Sequence, residues 1–248
     1  MALEQRPYTR TAESVGIDAG LRAYMLKVYN YMTTALLLTG LVAFFFGKAS
    51  IVTNDLGQIV GLTGIGNALF NSPLQWIVML APLGLVFYFS FKINTMSLST
   101  AQTTFWVFST LMGLSLASIF IVYTGASIAR VFFISSATFA AMSLYGYTTK
   151  RDLTALGGFL IMGLIGIIIA SIVNIFMQSS AMYFAISVIG VLIFVGLTAY
   201  DTQKIKNMYY AADSEAQSGK KAIMGALRLY LDFINLFIML LRLFGQRR

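Results

Sequence analysis

The sequence predicts an all-α integral membrane protein, a bundle of seven transmembrane helices. Two observations carry that prediction. Apolar types make up 58% of the 248 residues and charged types 10%, against roughly 25% charged in an average soluble domain, which leaves too little polar surface to cover a body in water. The charges are also gathered. Long stretches carry none, and most Lys and Arg sit in short clusters between them, the layout of spans and loops.

A span needs about 20 mainly apolar residues. Seven segments approach that length: Val28 to Phe46, Leu74 to Phe91, Phe105 to Tyr123, Val131 to Tyr147, Leu156 to Phe176, Met182 to Tyr200 and Ile223 to Phe244. Residues 1–27 are polar and of mixed charge, which reads as a cytoplasmic N-terminal segment and not as a cleaved signal sequence. Residues 28–248 then form one transmembrane domain. Gly47 to Pro73 is the longest connection, with room for a short interfacial helix and with Gly61 to Gly66 as turn material. The other connections are brief apart from Thr202 to Ala222, and no internal repeat marks inverted halves. Gly157, Gly158, Gly163 and Gly166 give the fifth span a small face for close helix packing.

Orientation follows from the basic residues. Alternate connections place Arg6, Arg10, Arg22, Lys27, Lys92, Lys150, Arg151, Lys204, Lys206, Lys220 and Lys221 on one side, and Lys48 and Arg130 on the other. The positive-inside rule makes the first side, and the N-terminus, cytoplasmic. Tyr209 and Tyr210 mark the same interface. Arg242, Arg247 and Arg248 oppose that assignment, because seven spans put the tail outside. A last segment that re-enters, leaving six full spans, is the alternative.

The net charge of +8 reads as this orientation signal. No nucleic-acid partner is expected, since the aromatics lie in the apolar runs and not on a soluble basic patch. Cysteine and histidine are both absent, which removes thiolate chemistry and the usual general base and neutral-pH sensor. The thirteen methionines form no close Met-x-Met series and read as packing filler. Proton chemistry falls to carboxylates.

An ionisable group inside a bilayer costs several kcal/mol and requires a reason. Asp201 closes the sixth span. Asp232 lies about ten residues into the seventh, roughly 15 Å along the helix axis at 1.5 Å per residue. Arg228, four residues earlier, shares its face and suits an ion pair, and Asn235 continues that face. Taken alone, Asp201 also fits a solvated helix end, and Asp232 a neutralised structural pair. Two carboxylates sharing one site cannot both ionise cheaply, so such a pair holds a proton between them. Carboxylate oxygens are also the hard ligands that Ca²⁺ selects. A site that trades protons for calcium is the resulting hypothesis.

Three runs carry a family resemblance: Gly196 to Lys206 around Tyr200-Asp201-Thr202-Gln203, Leu227 to Phe237 around Asp232, and Phe133 to Lys150 with Ser135-Ser136-Ala137-Thr138-Phe139. Together they resemble the Bax inhibitor motif family of transmembrane proteins, in its bacterial form, from the first span onward. The resemblance implies a seven-helix bundle with the last helix central and two three-helix layers around it. It also implies a pH-sensitive calcium leak gated by an aspartate pair, matched here by Asp201 and Asp232, in a bacterial inner membrane. Lys92, near the end of the second span, matches the family's counter-ion position, with Arg228 as its rival. The expected partners are the lipid bilayer, calcium ions and protons, with calcium bound or permeant at Asp201 and Asp232, no other cofactor and no catalytic residue. A non-conducting scaffold for other membrane proteins is the competing function. An intramembrane aspartyl protease fits Tyr200-Asp201 but not Leu231-Asp232, which lacks the Gly-x-Gly run and a nearby proline.

Overall fold

The computed structural model describes the backbone of residues 7–55 and 58–248, and side chains from Ala19 onward within those ranges. Arg6 and the side chain of Arg10, both counted toward orientation, lie outside the described residues. Helix α1 spans Pro7–Ala49, followed by strands β1 (Ile51–Thr53) and β2 (Ile59–Leu62) and helix α2 (Gly64–Phe70). Then come α3 (Leu74–Lys92), α4 (Leu98–Leu116), the short α5 (Ile119–Val122), α6 (Gly125–Thr148), α7 (Thr154–Met177), α8 (Ser180–Asn207) and α9 (Glu215–Phe244). Among the described residues, 7 helical segments are long and apolar enough to span a bilayer, with α4 and α5 together forming the third.

Capping chemistry sets where these helices begin, and it moves the boundaries outward from the apolar runs. Ser97 accepts a hydrogen bond from the Thr100 N–H, so α4 starts at Leu98 and not near Phe105. Thr124 does the same for α6 and Ser179 for α8. A reciprocal capping box between Ser214 and Gln217 starts α9 at Glu215, eight residues ahead of its apolar stretch. These side chains satisfy amide groups that a first helical turn leaves without partners.

The connection after α1 holds more order than its turn residues suggest. β1 and β2 pair antiparallel, Ile51 opposite Leu62 and Val52 opposite Gly61, with an irregularity between Val52 and Thr53. Gly61 therefore lies in a strand, and Thr63 caps the interfacial helix α2. β-branched residues at 51–53 and 59–60 favour this pleated pairing over a bare turn.

The helices form two layers about one axis. α4 packs between α1 and α3, α8 packs between α6 and α7, and α9 lies between the layers against α8, α1, α6 and α4. Of the apolar window of α9, 72% is buried, against 11% in α3 and in α7. The outer helices instead turn Trp76, Phe91, Ile175 and Phe176 outward, an apolar surface that only lipid covers at low cost. Both layers place the third helix of their half in the middle, an equivalence of packing that no sequence repeat announces. Glycine allows the closest crossings. A Cβ on Gly146 would fall on the Ala199 carbonyl oxygen, and one on Gly113 would meet the Thr39 carbonyl oxygen at 2.7 Å.

Helix α9 crosses without a break, which overturns the re-entrant alternative. The arginines that argued for re-entry are held at its far end. Arg242 and Arg247 stand over the Tyr183 ring at 5.2 and 5.9 Å. The Thr124 N–H donates to the Gln246 carbonyl, the Arg248 N–H to that of Val122, and the Gln246 N–H to the Ser127 hydroxyl. Ring faces and backbone bonds fix this tail locally, so its charges do not report on the crossing.

Candidate functional site: a carboxylate pair between the last two helices

Helix α8 continues six residues past Asp201, to Asn207. Asp201 is therefore not a solvated helix end. It is buried within the helix, as is Asp232. Two threonines flank Asp201, and each turns its hydroxyl back onto its own helix: Thr198 to the Phe194 carbonyl and Thr202 to the Thr198 carbonyl. Those hydroxyls leave no polar demand on the backbone there, and the carboxylate projects toward α9.

The two carboxylates stand beside each other across the α8–α9 packing. Arg228, one turn before Asp232, reaches across to Asp201, Nη1 to Oδ1 at 3.6 Å. That separation is a charge contact longer than a good hydrogen bond. The i,i+4 pair expected between Arg228 and Asp232 does not close: among the described residues, the acid bridged by Arg228 is Asp201. Asp232 Oδ2 is left buried with no hydrogen-bond partner, and Arg228 Nε likewise. An acceptor stranded at low dielectric is costly while ionised, and much less so as a carboxylic acid.

Lys92 is not brought to this site. It ends α3, the outer helix of its layer, which packs on α4 and α2. At that level α9 has reached only Lys220, whose Nζ donates to the Asn94 carbonyl. Arg228 lies eight residues further along α9, about 12 Å at the helical rise. The counter-ion position matched by resemblance is thus filled from α9 itself, by Arg228.

A cavity of about 540 Å³ opens onto the pair. Isoleucines 167, 168 and 172 of α7 form its apolar wall, and Asp201, Arg228, Asp232 and Asn235 its polar one. The Asn235 amide donates to the Leu231 carbonyl. No cluster of three or more His, Cys, Asp or Glu exists among the described residues. A resident Ca²⁺ takes six to eight oxygens, of which two carboxylates supply at most four.

Two buried hydroxyl chains escaped sequence reasoning. The Tyr29 hydroxyl lies 2.6 Å from that of Ser143, which lies 3.0 Å from that of Thr202, joining α1, α6 and α8 beside Asp201. Thr39 donates to the Ser109 carbonyl and meets the Tyr230 hydroxyl at 2.7 Å, joining α1, α4 and α9. Their signal in the sequence is the recurrence of Ser, Thr and Tyr inside apolar runs, where each hydroxyl requires a partner.

Residues 21–248 match the family model described as inhibitor of apoptosis-promoting Bax1. The chain belongs to this family. The match includes every residue of the carboxylate site and all seven spans but the first two residues of the first. Similar proteins include RP147 of Rickettsia prowazekii, 51% identical with 97% of this chain and 96% of that protein covered. The inner membrane protein YbhL of Escherichia coli K12 is 48% identical, with 97% and 99% covered. A membrane protein of Streptococcus pyogenes serotype M1 is 36% identical, with 92% and 95% covered. This Bax inhibitor family chain is accordingly an integral membrane protein, and its central last helix carries one member of the carboxylate pair.

Proposed function

We propose that the chain is a pH-sensitive calcium leak of the bacterial inner membrane, with a cytoplasmic N-terminus, gated by Asp201 and Asp232. One observation carries this reading: the buried, unpartnered Asp232 Oδ2 beside Asp201, which Arg228 already engages. The inner-membrane placement rests on the similarity to YbhL, an inner membrane protein, and the orientation on the basic loops. Calcium is the cargo.

With one proton on the pair, Asp232 is neutral, Asp201 faces Arg228, and the three groups carry no net charge. The α8–α9 seam is then closed. A second proton neutralises Asp201 and releases Arg228. Loss of the only proton leaves two like charges side by side where screening is weak, and they push α8 from α9. Either change opens the seam toward the cavity; after loss of the proton the ionised carboxylate oxygens offer Ca²⁺ a hard, transient ligand set, and after the second proton the ion passes neutral carboxyl oxygens.

Calcium flux into liposomes bearing the purified protein, followed across pH, tests this. Wild type is expected to leak least where the pair holds one proton, and more on either side. Asp232→Asn keeps a neutral neighbour for Asp201, so its alkaline rise disappears. Asp201→Asn deprives Arg228 of its acid and leaks across the range. Unchanged flux and unchanged pH response in both variants would exclude the proposal.

A further inference from the structure

A second cavity is larger than the one at the carboxylates. A groove of about 940 Å³ runs between α1 and α6, where the two layers face each other across α9. Phe233 of α9 lines it, and Met25, Leu36 and Phe139 help form its walls. Small side chains keep it open. Ala140 faces it from α6 and Gly40 from α1, and a Cβ on Gly40 would meet nothing within 4 Å. From Arg22 to Leu41 the α1 wall is 20 residues long, about 28 Å at a rise of 1.5 Å per residue, close to the ~30 Å hydrocarbon thickness of a bilayer.

The groove's chemistry is one-ended. Three of its hydroxyls are committed within the protein: Tyr29 and Ser143 meet each other, and Ser136 donates to the Phe132 carbonyl. Arg22, exposed at one end, is the one charged residue among its lining. Two residues on, the Tyr24 ring sits 5.7 Å from that of Tyr209, in the α8–α9 connection. Arg22 therefore stands at the level of the basic loops, where headgroups lie. Along the groove Leu26, Leu37 and Leu144 are exposed, so it opens sideways to lipid.

An occupant must be long and apolar, enter from the bilayer, and carry an anion at the basic face. We infer that the α1–α6 groove holds an acyl chain of an anionic phospholipid, with the Arg22 guanidinium on its phosphate. A guanidinium matches phosphate oxygens in a two-pronged geometry. The assignment does not depend on calcium conduction.

Native mass spectrometry of the purified protein, given equimolar phosphatidylglycerol and phosphatidylcholine of identical chains, tests it. The wild type is expected to retain one phosphatidylglycerol, favoured about fivefold, the ratio that one basic residue at a membrane surface provides. Arg22→Gln should bring that ratio to about one, and Arg22→Lys should restore most of it. Ala140→Phe fills the groove and should lower retention of both lipids; Gly40→Leu, where space is open, does so from the other wall. Equal retention of the two lipids by wild type, a preference that survives Arg22→Gln, undiminished binding in both filled variants, or a dimer in place of the adduct would overturn the assignment.

Discussion

Asp201 and Asp232 are one residue type in two surroundings. Asp201 has a cation at 3.6 Å, whereas an oxygen of Asp232 has no partner, and under the proposed gating this asymmetry would place the shared proton on Asp232. Arg228 is the hinge of the arrangement because its acid lies on the neighbouring helix and not on its own. Its side chain is 40% exposed, so the contact counts as a partly exposed pair. Arg228→Gln is accordingly expected to raise the closed-state leak about three- to fivefold, matching ~0.6–1 kcal/mol for a partly exposed pair. Liposome flux at the pH of minimum leak measures it. Lys92→Gln, on the outer helix α3, should leave that minimum unchanged.

Helix crossings place the pair, and small residues allow the crossings. α6 meets α8 where Gly146 lies on the Ala199 carbonyl, two residues before Asp201. Gly146→Val must separate the two backbones, at a cost of about 1–3 kcal/mol for overpacking, visible as a lower unfolding temperature in detergent. It should also disturb gating, because the Ser143–Thr202 contact lies along the same crossing. At the start of α7, outside the spans, the Asp152 carboxylate accepts from the Thr154 hydroxyl and N–H. Those bonds hold its acid below the usual carboxylate range, the hydroxyl contributing most. The folded form is thus the stronger acid. Its stabilisation is complete above the ordinary carboxylate range and disappears as pH falls through the lowered value. Amide exchange at Thr154 should quicken in that acid window in wild type, and already at neutral pH in Asp152→Ala.

The whole molecule is two three-helix layers closed around α9 and tied at both ends. At the basic face Gln203 accepts from the Leu153 N–H and donates to the Arg151 carbonyl, and Lys220 holds Asn94. At the opposite face the tail bridges Tyr123 and Thr124. Arg247→Ala removes the Tyr183 stacking while leaving the backbone bonds, so amide exchange at Thr124 and Gln246 should rise without loss of the bundle. Much of this was legible in the sequence. Apolar runs separated by basic clusters fix seven spans, because a bilayer leaves the backbone no other way to satisfy its hydrogen bonds than a helix or a closed barrel. Asp201 and Asp232 stand out for the same reason, as charges where charge is costly. The capping box at Ser214 was legible too, but hydropathy alone passes over it. Tertiary structure decided the rest. Which cation meets Asp201 depends on the neighbours of α3 and α9, and span order leaves those open. That excluded Lys92 and chose Arg228. The groove between α1 and α6 exists only because two helices far apart in sequence both lean on α9 and meet each other at the Tyr29–Ser143 contact without closing the space beside it, and a one-dimensional pattern of apolar residues carries no record of a space between them.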